Sequence, residues 1–577
     1  MNSLRPRLSL LKKAQHTLDS FTASGRALFL FFASLCAVSS IALLYMLNAS
    51  LLVAAPSPGG SLVEGLLGSP RFINPVLALS DADRDLTALA YSGLLRATPD
   101  GSYLPDLAQE YSVSEDGRVY TFVLRPGLTF HNGKPVTAED VVFTVQKIQD
   151  PALKSPLRAN WDGVVAEAQD ARTVRFTLAA PYAPFVKNLT LGILPKALWN
   201  SVSSEEFPFS ELNVSPVGSG PYRVSSVSRT ASGIPSSYEL APFAGYSLGR
   251  PYLSLTLRFY QSEDSLMQAL KDGEVEAASG ISPEKLAGQD GVNIATTPLN
   301  RVFGVFFNQN QSELLRQRAV RQALNAAIDR SDLIQKVLGG YGTALMGPVP
   351  PSLLALDAGS STPRGLEAAR AVLERDGWVL NEAGVLQKTT GKGSSAETTT
   401  LSFDLSTANV PELRAAAQYL HDTWGQLGVQ ANVKVFEAGD LSQNVIRPRK
   451  YDALLFGEVI GRELDLFAFW HSSQRNDPGL NVAGYANATA DSVLEQLRQT
   501  ADKTERASLY EQFAAELAAD VPAVFLYAPD FVYSVPKDIQ GLDLGLVESP
   551  SDRFLSVTQW HREVDYVWPV FVSDKHK

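Results

Sequence analysis

Apolar and polar residues along the chain follow two patterns, one typical of short strands and the other of amphipathic helices. The run Val119–Leu124 is rich in β-branched and aromatic residues and follows the turn dipeptide Asp116-Gly117, which predicts a strand. Apolar residues at helical spacing after Thr137 predict a helix that this threonine caps. Between the two segments, Asn132-Gly133 predicts a hairpin turn, because both residues tolerate positive φ.

The later part of the chain continues this mixture of strands and helices. Helical spacing within 314–338 predicts two helices that separate near 329–331, with Ser331 capping the second one. Further predicted elements are helices at 368–373, at 413–427 and within 491–517, strands at 429–436 and 523–527, and a long hairpin or exposed loop at 381–400. Because both element types recur along the chain, the sequence predicts an α/β protein with mixed sheets.

The first sixty residues form a basic segment followed by a long uncharged one. Residues 1–26 carry a net charge of +4, and no charged residue lies between Ala27 and Val63. The apolar run at 27–55 exceeds the roughly 20 residues that a helix needs to cross a bilayer. A cleaved signal peptide has a shorter apolar stretch and a small-residue cleavage site, so the pattern favours a retained transmembrane anchor over a cleaved signal. The basic flank predicts a cytoplasmic tail at 1–26 and a body outside the cytoplasm.

Length, charge and cysteine content narrow the choice of function for the body. At 577 residues the chain is too long for one core and predicts two or three domains. The net charge of −11 leaves −15 on the residues after 26, which argues against nucleic acid as a partner because phosphate binding needs clustered Lys and Arg. Cys36 is the only cysteine, so the body has neither disulfides nor cysteine-based zinc sites.

Motifs that carry catalysis or cofactor binding are not found in the sequence. HExxH, CxxC, GxGxxG and GxSxG do not occur, and no two histidines are spaced three or four residues apart to bind a metal from one helix face. We therefore predict no cofactor, no metal and no catalytic residues. A pair of catalytic acids from distant parts of the chain would leave no local motif, so an extracytoplasmic hydrolase is the less favoured alternative.

An ordered series of short motifs identifies a family. The longest is FHNGKPVTAEDVV at 130–142, and others are YSGLL at 91–95, PVGSGPY at 216–222 and VRQALNAAIDR at 320–330. Together they closely resemble the family 5 extracellular solute-binding proteins, which include the dipeptide- and oligopeptide-binding components of ABC importers. The resemblance extends over nearly the whole chain outside the anchor. It is more specific for the fold than for the ligand, because the family also includes binders of nickel, haem and sugars.

The resemblance implies a two-lobed periplasmic-binding-protein-like fold with a hinge, preceded here by one transmembrane helix. Lobe I would comprise 61–298, with a small subdomain at about 95–205, and a return segment at 529–577; lobe II would comprise 299–528. Two strands near 297–301 and 525–529 would cross between the lobes. The implied function is that of a monomeric, periplasmic or cell-surface binding protein that delivers a solute, with a peptide favoured, to an ABC transporter permease. A ligand-sensing receptor subunit is the alternative, although residues 1–26 leave no room for a cytoplasmic signalling domain.

One departure from the family pattern concerns the ligand site. In peptide-binding members, an aspartate shortly after a strand such as 451–457 receives the α-ammonium group of the peptide, and Gly461 stands at that position here. A buried ammonium group needs a carboxylate nearby, which Glu463 or Asp465 could supply. The ligand contacts predicted for this chain are Arg462, Glu463, Asp465, Glu458, Asn308 and Tyr341. If the charges at 462–465 are instead solvated loop residues, the ligand need not be a peptide with a free amine.

Overall fold

The computed structural model describes most of the chain. The described residues are 12–13, 15–17, 19–286, 293–354, 364–391, 396–500 and 502–571. They form two compact units, of which one is Gly59–His561 and the other consists of the segment up to Pro58 and the segment from Arg562.

Strands and helices are numbered here in chain order. The strands are β1 (Val53–Pro56), β2 (Ser61–Leu67), β3 (Leu95–Ala97), β4 (Tyr103–Pro105), β5 (Ala108–Val113), β6 (Val119–Leu124), β7 (Val165–Ala168), β8 (Thr173–Thr177), β9 (Tyr222–Arg229), β10 (Pro235–Pro242), β11 (Ser254–Tyr260), β12 (Ala277–Ser279), β13 (Ile294–Pro298), β14 (Arg301–Phe307), β15 (Gly342–Ala344), β16 (Val379–Leu380), β17 (Leu386–Thr390), β18 (Glu397–Thr400), β19 (Ser402–Ala408), β20 (Gln430–Phe436), β21 (Ala453–Val459), β22 (Ala523–Ser534) and β23 (Val564–Val567). The longer helices are α1 (Ala23–Leu51), α2 (Asp81–Ala90), α3 (Ala138–Gln149), α4 (Glu263–Lys271), α5 (Arg318–Ala326), α6 (Arg330–Leu338), α7 (Leu366–Arg375), α8 (Pro411–Gly425), α9 (Ala488–Gln499) and α10 (Lys503–Asp520).

The terminal unit consists of α1 and a pair of short strands. Thr22 caps the helix by accepting a hydrogen bond from the Gly25 N–H, and none of the residues of α1 is buried. The helix is long and apolar enough to cross a membrane. It begins and ends four residues earlier than the run predicted at 27–55, because Thr22 sets its start and because β1 is held extended by antiparallel pairing with β23. Because β23 pairs with β1, the chain leaves the larger unit after His561, whereas the return segment of lobe I was predicted to run to 577.

A mixed sheet of 12 strands organises the described part of the larger unit. Its strand order is β20-β19-β21-β14-β22-β12-β2-β11-β10-β9, with β13 and β15 also paired to β22. Smaller sheets add β5-β6-β8-β7, β3-β4 and β16-β17-β18, and β17 and β18 of the last sheet lie within the stretch predicted as a long hairpin. Thr137 caps α3 through a capping box as predicted, whereas α6 is capped by the Asp329 carboxylate rather than by Ser331. The difference follows from α6 starting at Arg330, two residues earlier than a helix capped by Ser331 would start.

The larger unit has two main hydrophobic cores, which define its two lobes. One core draws its buried residues from 62–299 and 531–560, and the other draws them from 302–528. We call the first part lobe I and the second lobe II. The two-lobed architecture with mixed sheets, which the family resemblance implied, is therefore present.

Strand β22 connects the two lobes. Its first part, from Ala523 to Tyr527, pairs with β14 of lobe II, and its second part, from Asp530 to Ser534, pairs with β13 of lobe I. The chain therefore crosses between the lobes on two neighbouring tracks, one through β22 and the other through Leu299 and Asn300, between β13 and β14. The residue pattern predicted only the first five residues of β22, because the run of large apolar residues at 523–527 is followed two residues later by Pro529.

A fully buried arginine ties distant segments of lobe I together. The guanidinium group of Arg553 donates to Glu64 Oε1 at 2.8 Å and to both oxygens of Asp85 at 3.0 and 2.7 Å. Tyr533 donates its hydroxyl to the other oxygen of Glu64 at 3.1 Å. These four residues come from β2, α2, β22 and the 3₁₀ segment Pro550–Gln559, so the cluster joins the start of lobe I to its return segment.

We predict that Arg553→Met strongly destabilises the fold. The substitution keeps an apolar stem but leaves two buried carboxyl groups without their cation, which costs about 3–5 kcal/mol. Urea unfolding followed by tryptophan fluorescence measures the loss. The control is Arg229→Met, which removes an exposed ion pair with Glu211 and is expected to cost less than about 1 kcal/mol. Equal midpoints for the two variants would contradict the prediction.

Candidate ligand-binding site

The edge of β21 near the lobe junction is open. Strand β19 pairs with β21 only through Leu405–Ala453 and Ser406–Leu454, whereas β14 pairs along the whole of β21 on the other side. Beyond Leu454, the edge of β21 that faces away from β14 has no strand partner among the described residues. The Ile460 N–H bonds to Asn300 on the β14 side, so by alternation Gly457 and Val459 direct their peptide groups to the open edge. An open edge of this kind can accept an additional extended strand.

One face of the sheet beside this edge is aromatic and carries charged groups. The rings of Phe303 and Tyr527 stack with centroids 5.2 Å apart. A Cβ atom at Gly457 would lie 2.6 Å from the Phe303 ring, so the close approach requires glycine there. The Tyr527 hydroxyl donates to Glu412 at 2.8 Å, and burial raises the pKa of this glutamate although Arg301 opposes the shift. Arg301 precedes Phe303 on the same face, and its buried Nε has no hydrogen-bond partner in the described chain.

Glu458 is a buried acid without a partner. It lies opposite Val302 in the sheet and is 3% exposed, and neither carboxyl oxygen is hydrogen-bonded within the described residues. Burial raises its pKa well above the ordinary value for glutamate. Asn300 is also buried, its amide group has no described partner, and its carbonyl accepts the Ile460 N–H at 2.8 Å. Buried polar groups are nearly always hydrogen-bonded, so these two neighbouring residues are the strongest candidates for contact with polar ligand atoms.

Arg462 does not project into an open cleft. Its side chain is 3% exposed and reaches from lobe II into lobe I. There it donates to the carbonyl oxygens of Thr98 and Leu546 at 3.0 and 2.5 Å, and to Asp552 Oδ2 at 2.6 Å. These three hydrogen bonds from Arg462 hold the two lobes in contact.

The two acids that follow Arg462 have different surroundings. Asp465 is bound by Arg498 through two nitrogens, with contacts of 2.7 to 3.2 Å, and accepts the Tyr182 hydroxyl of lobe I at 3.0 Å. Both of its oxygens therefore have protein partners. Glu463 is half-buried, and burial raises its pKa, an effect that Arg506 and Lys187 oppose. Of the two, Glu463 is the more available for a ligand cation.

Gly461 lies beside a lysine of lobe I. A Cβ atom at this position would be 3.0 Å from Lys187 Nζ, and Lys187 forms an ion pair with Glu548. An acidic side chain at 461 would therefore meet the protein's own ammonium group. With glycine here, Lys187 keeps its pairing with Glu548.

Asn308 lies far from the lobe junction, whereas Tyr341 lies beside the part of β22 that crosses between the lobes. Asn308 follows β14 at the end far from the lobe junction, about 20 Å from Arg301 by strand length, and its amide donates to the Arg449 carbonyl at 2.9 Å. Tyr341 follows α6, and its carbonyl accepts the Asp530 N–H at 3.2 Å. The structure thus brings Glu458, Arg462, Glu463 and Asp465 to the junction but not Asn308.

Sequence reasoning missed Asn300, Arg301, Glu412 and Lys187. Asn300 and Arg301 lie within the predicted crossing strand at 297–301. Their position between the lobes could have identified them as candidate ligand contacts. Glu412 and Lys187 carry no such local signal, since only the folded chain brings them near β21. No group of three or more potential metal-ligating side chains occurs among the residues that the structure describes.

The fold and the cleft define a two-lobed extracytoplasmic binding protein. The chain matches the model of the bacterial extracellular solute-binding proteins, family 5, over residues 102–477, and it belongs to this family. Members are the substrate-binding components of ABC importers and are not enzymes.

Individual relatives agree with this assignment over most of the chain. Protein XP55 of Streptomyces lividans is 29% identical over 494 residues, which cover 84% of this chain and 86% of the relative. The oligopeptide-binding protein AppA of Bacillus subtilis is 26% identical, with coverage of 84% and 89%. The crystal structure of the ABC transporter substrate-binding protein CtaP of Listeria monocytogenes has a TM-score of 0.72 and 27% identity, and the match covers 88% of this chain and 100% of CtaP.

We predict that Arg462→Met shifts the protein towards an open arrangement of the lobes. The variant keeps the stem but loses three hydrogen bonds to lobe I and leaves Asp552 without its cation, while the cores of both lobes are untouched. In small-angle scattering of the part of the chain after α1, without detergent or ligand, Arg462→Met should have a larger radius of gyration than the parent. Arg506→Met is the control, because the hydrogen-bond acceptors of Arg506 among the described residues all belong to lobe II, at Leu497, Thr500, Glu463 and Tyr510. An unchanged radius for Arg462→Met, or the same increase in both variants, would refute this role.

Proposed function

We propose that this chain binds a peptide in the cleft between its lobes and delivers it to an ABC transporter permease. The observation that carries the proposal is the open edge of β21 at Gly457 and Val459. An extended peptide can add a strand to such an edge, with main-chain hydrogen bonds giving affinity that does not depend on side chains. The oligopeptide-binding relative AppA supports the same ligand class.

Ligand capture works through the hinge formed by the two crossing tracks. A ligand that contacts both lobes makes all of its contacts only when the lobes are together, so binding shifts the population towards the closed arrangement. The permease then recognises the loaded protein by its closed shape. The protein acts as a monomer, since both lobes of the cleft come from one chain.

Glu458 is the proposed acceptor for a cationic group of the ligand, with Glu463 as the second acid. Burial raises the pKa of Glu458 well above the ordinary value for glutamate, which favours the neutral form of this carboxyl group in the empty protein. A ligand ammonium group beside it favours the ionised form, so binding releases a proton. Affinity for such a ligand therefore increases with pH until Glu458 is ionised in the empty protein as well.

Helix α1 is proposed to remain as a single membrane span. Its length, its apolar composition and the basic segment before it favour a cytoplasmic N-terminus and a body held outside. Retention would keep the binding protein close to its permease.

We predict that the purified protein captures peptides from a mixture of tri- to pentapeptides, and that Glu458→Gln weakens the binding of those with a cationic group. Native mass spectrometry identifies the captured peptides, and calorimetry compares the parent with the variant. Loss of one partner of a buried charge pair costs about 2–5 kcal/mol, or at least about 30-fold in affinity. The measured enthalpy of the parent should also depend on the ionisation enthalpy of the buffer, and that of Glu458→Gln should not.

Glu463→Gln serves as the matched variant in the same titration. A larger loss in this variant than in Glu458→Gln would move the role to Glu463. Capture of peptides with both variants within about threefold of the parent would remove both acids from the site. A protein that captures no peptide would contradict the proposed ligand class.

Retention of the anchor is tested by N-terminal sequencing of the protein extracted from membranes. We expect the chain to begin at or near Met1, because α1 is uninterrupted and the residues that follow it are held in β1. A mature chain that begins after Ala55 would contradict the anchor and identify the segment as a cleaved signal.

A further inference from the structure

The strand pair in the terminal unit runs back towards the membrane-spanning helix. Only Leu52 separates α1 from β1, and Val53 of β1 is paired with Val567 of β23. The pairing is antiparallel, so β23 runs towards the end of the helix while β1 runs away from it. The residues that follow Val567 therefore continue past Val53 on the side of the helix.

The polarity of the C-terminal segment changes along its length. At its far end, Glu563 and Asp565 are exposed, and Asp565 accepts a hydrogen bond from the Ser57 hydroxyl at 2.9 Å. At the helix end, Tyr566, Trp568 and Val570 are 68, 43 and 81% exposed. Large apolar side chains exposed together mark a surface that contacts something other than water. Their place beside the end of a membrane span identifies the lipid surface as the partner.

We propose that residues 566–570 insert into the interfacial layer of the outer leaflet and attach the chain to the membrane at a second point. The inference rests on the proposed retention of α1. Trp and Tyr favour this layer because their rings are apolar and each carries one polar group that stays hydrated. The acidic residues 563 and 565, further along the strand, remain in water, where an anionic membrane surface would repel them.

Two attachments would fix the strand pair against the bilayer. Pairing over four residues and the hydrogen bonds of Ser57 to Glu563 and Asp565 make the β1–β23 ribbon a short stalk. A chain held only by α1 could rotate about Leu52, whereas insertion of the ring of Trp568 resists that rotation.

Spin labelling of the full chain in vesicles of phosphatidylethanolamine and phosphatidylglycerol tests the proposal. In a Cys36→Ser background, a nitroxide is attached at Val570→Cys, at Glu563→Cys as the matched position on the same segment, or at Leu44→Cys within α1. Oxygen dissolves in lipid and a polar nickel chelate does not, so their relative collision rates report depth. We expect the label at 570 to collide with the nickel chelate at least about threefold less often than the label at 563 does.

The three labels separate the possible outcomes. A lipid-embedded label at 44 together with equal exposure at 570 and 563 would overturn the second attachment and leave the anchor intact. A water-exposed label at 44 would overturn the anchor and this inference with it. Tyr566→Cys provides a second labelled position in the segment, and it should report an environment between those of 563 and 570.

Discussion

The hydrogen bonds of β22 constrain everything else in the binding unit, because this one strand belongs to both lobes. Its pairing with β14 fixes it in lobe II and its pairing with β13 fixes it in lobe I. The two pairings meet at Ala528 and Pro529, beside Leu299 and Asn300, and we propose this junction as the hinge between the lobes. Three residues near this junction, Asn300, Arg301 and Glu458, carry buried polar atoms without a hydrogen-bond partner in the described chain.

The polar side chains at the junction divide into two groups with opposite consequences. Arg462 and Asp465 have protein partners in lobe I and stabilise the contact between the lobes whether or not a ligand is present. Glu458 and Asn300 have none within the described chain, and an unpaired buried group of this kind costs about 1–3 kcal/mol. A ligand that hydrogen-bonds to these groups removes this cost. It therefore stabilises the closed arrangement by more free energy than its apolar contacts alone provide.

The sequence predicted the fold well because the fold depends on local signals that recur in order. The strand Val119–Leu124, the capping box at Thr137 and the separation of the two helices near Asp329 are each encoded within a few residues. The site was predicted less well. The segment 458–465 was identified, but the partners of Arg462 are Thr98, Leu546 and Asp552, which lie 84 to 364 residues away along the chain. Such distant residues determine whether a charged side chain contacts a ligand, solvent or the other lobe. A local sequence pattern does not predict them.

The absence of a carboxylate at Gly461 follows from the same distribution of charge. Lys187 already brings an ammonium group to this position and is paired with Glu548, so an acid here would neutralise the lysine and not the ligand. The negative charge that a cationic ligand needs must then come from a residue other than 461. Glu458 on β21 is buried, neither of its carboxyl oxygens has a partner among the described residues, and burial raises its pKa. In the proposed binding mode, burial favours the neutral form of Glu458 in the empty protein and a ligand cation favours its ionised form, so recognition of the ligand charge is coupled to ionisation of this acid.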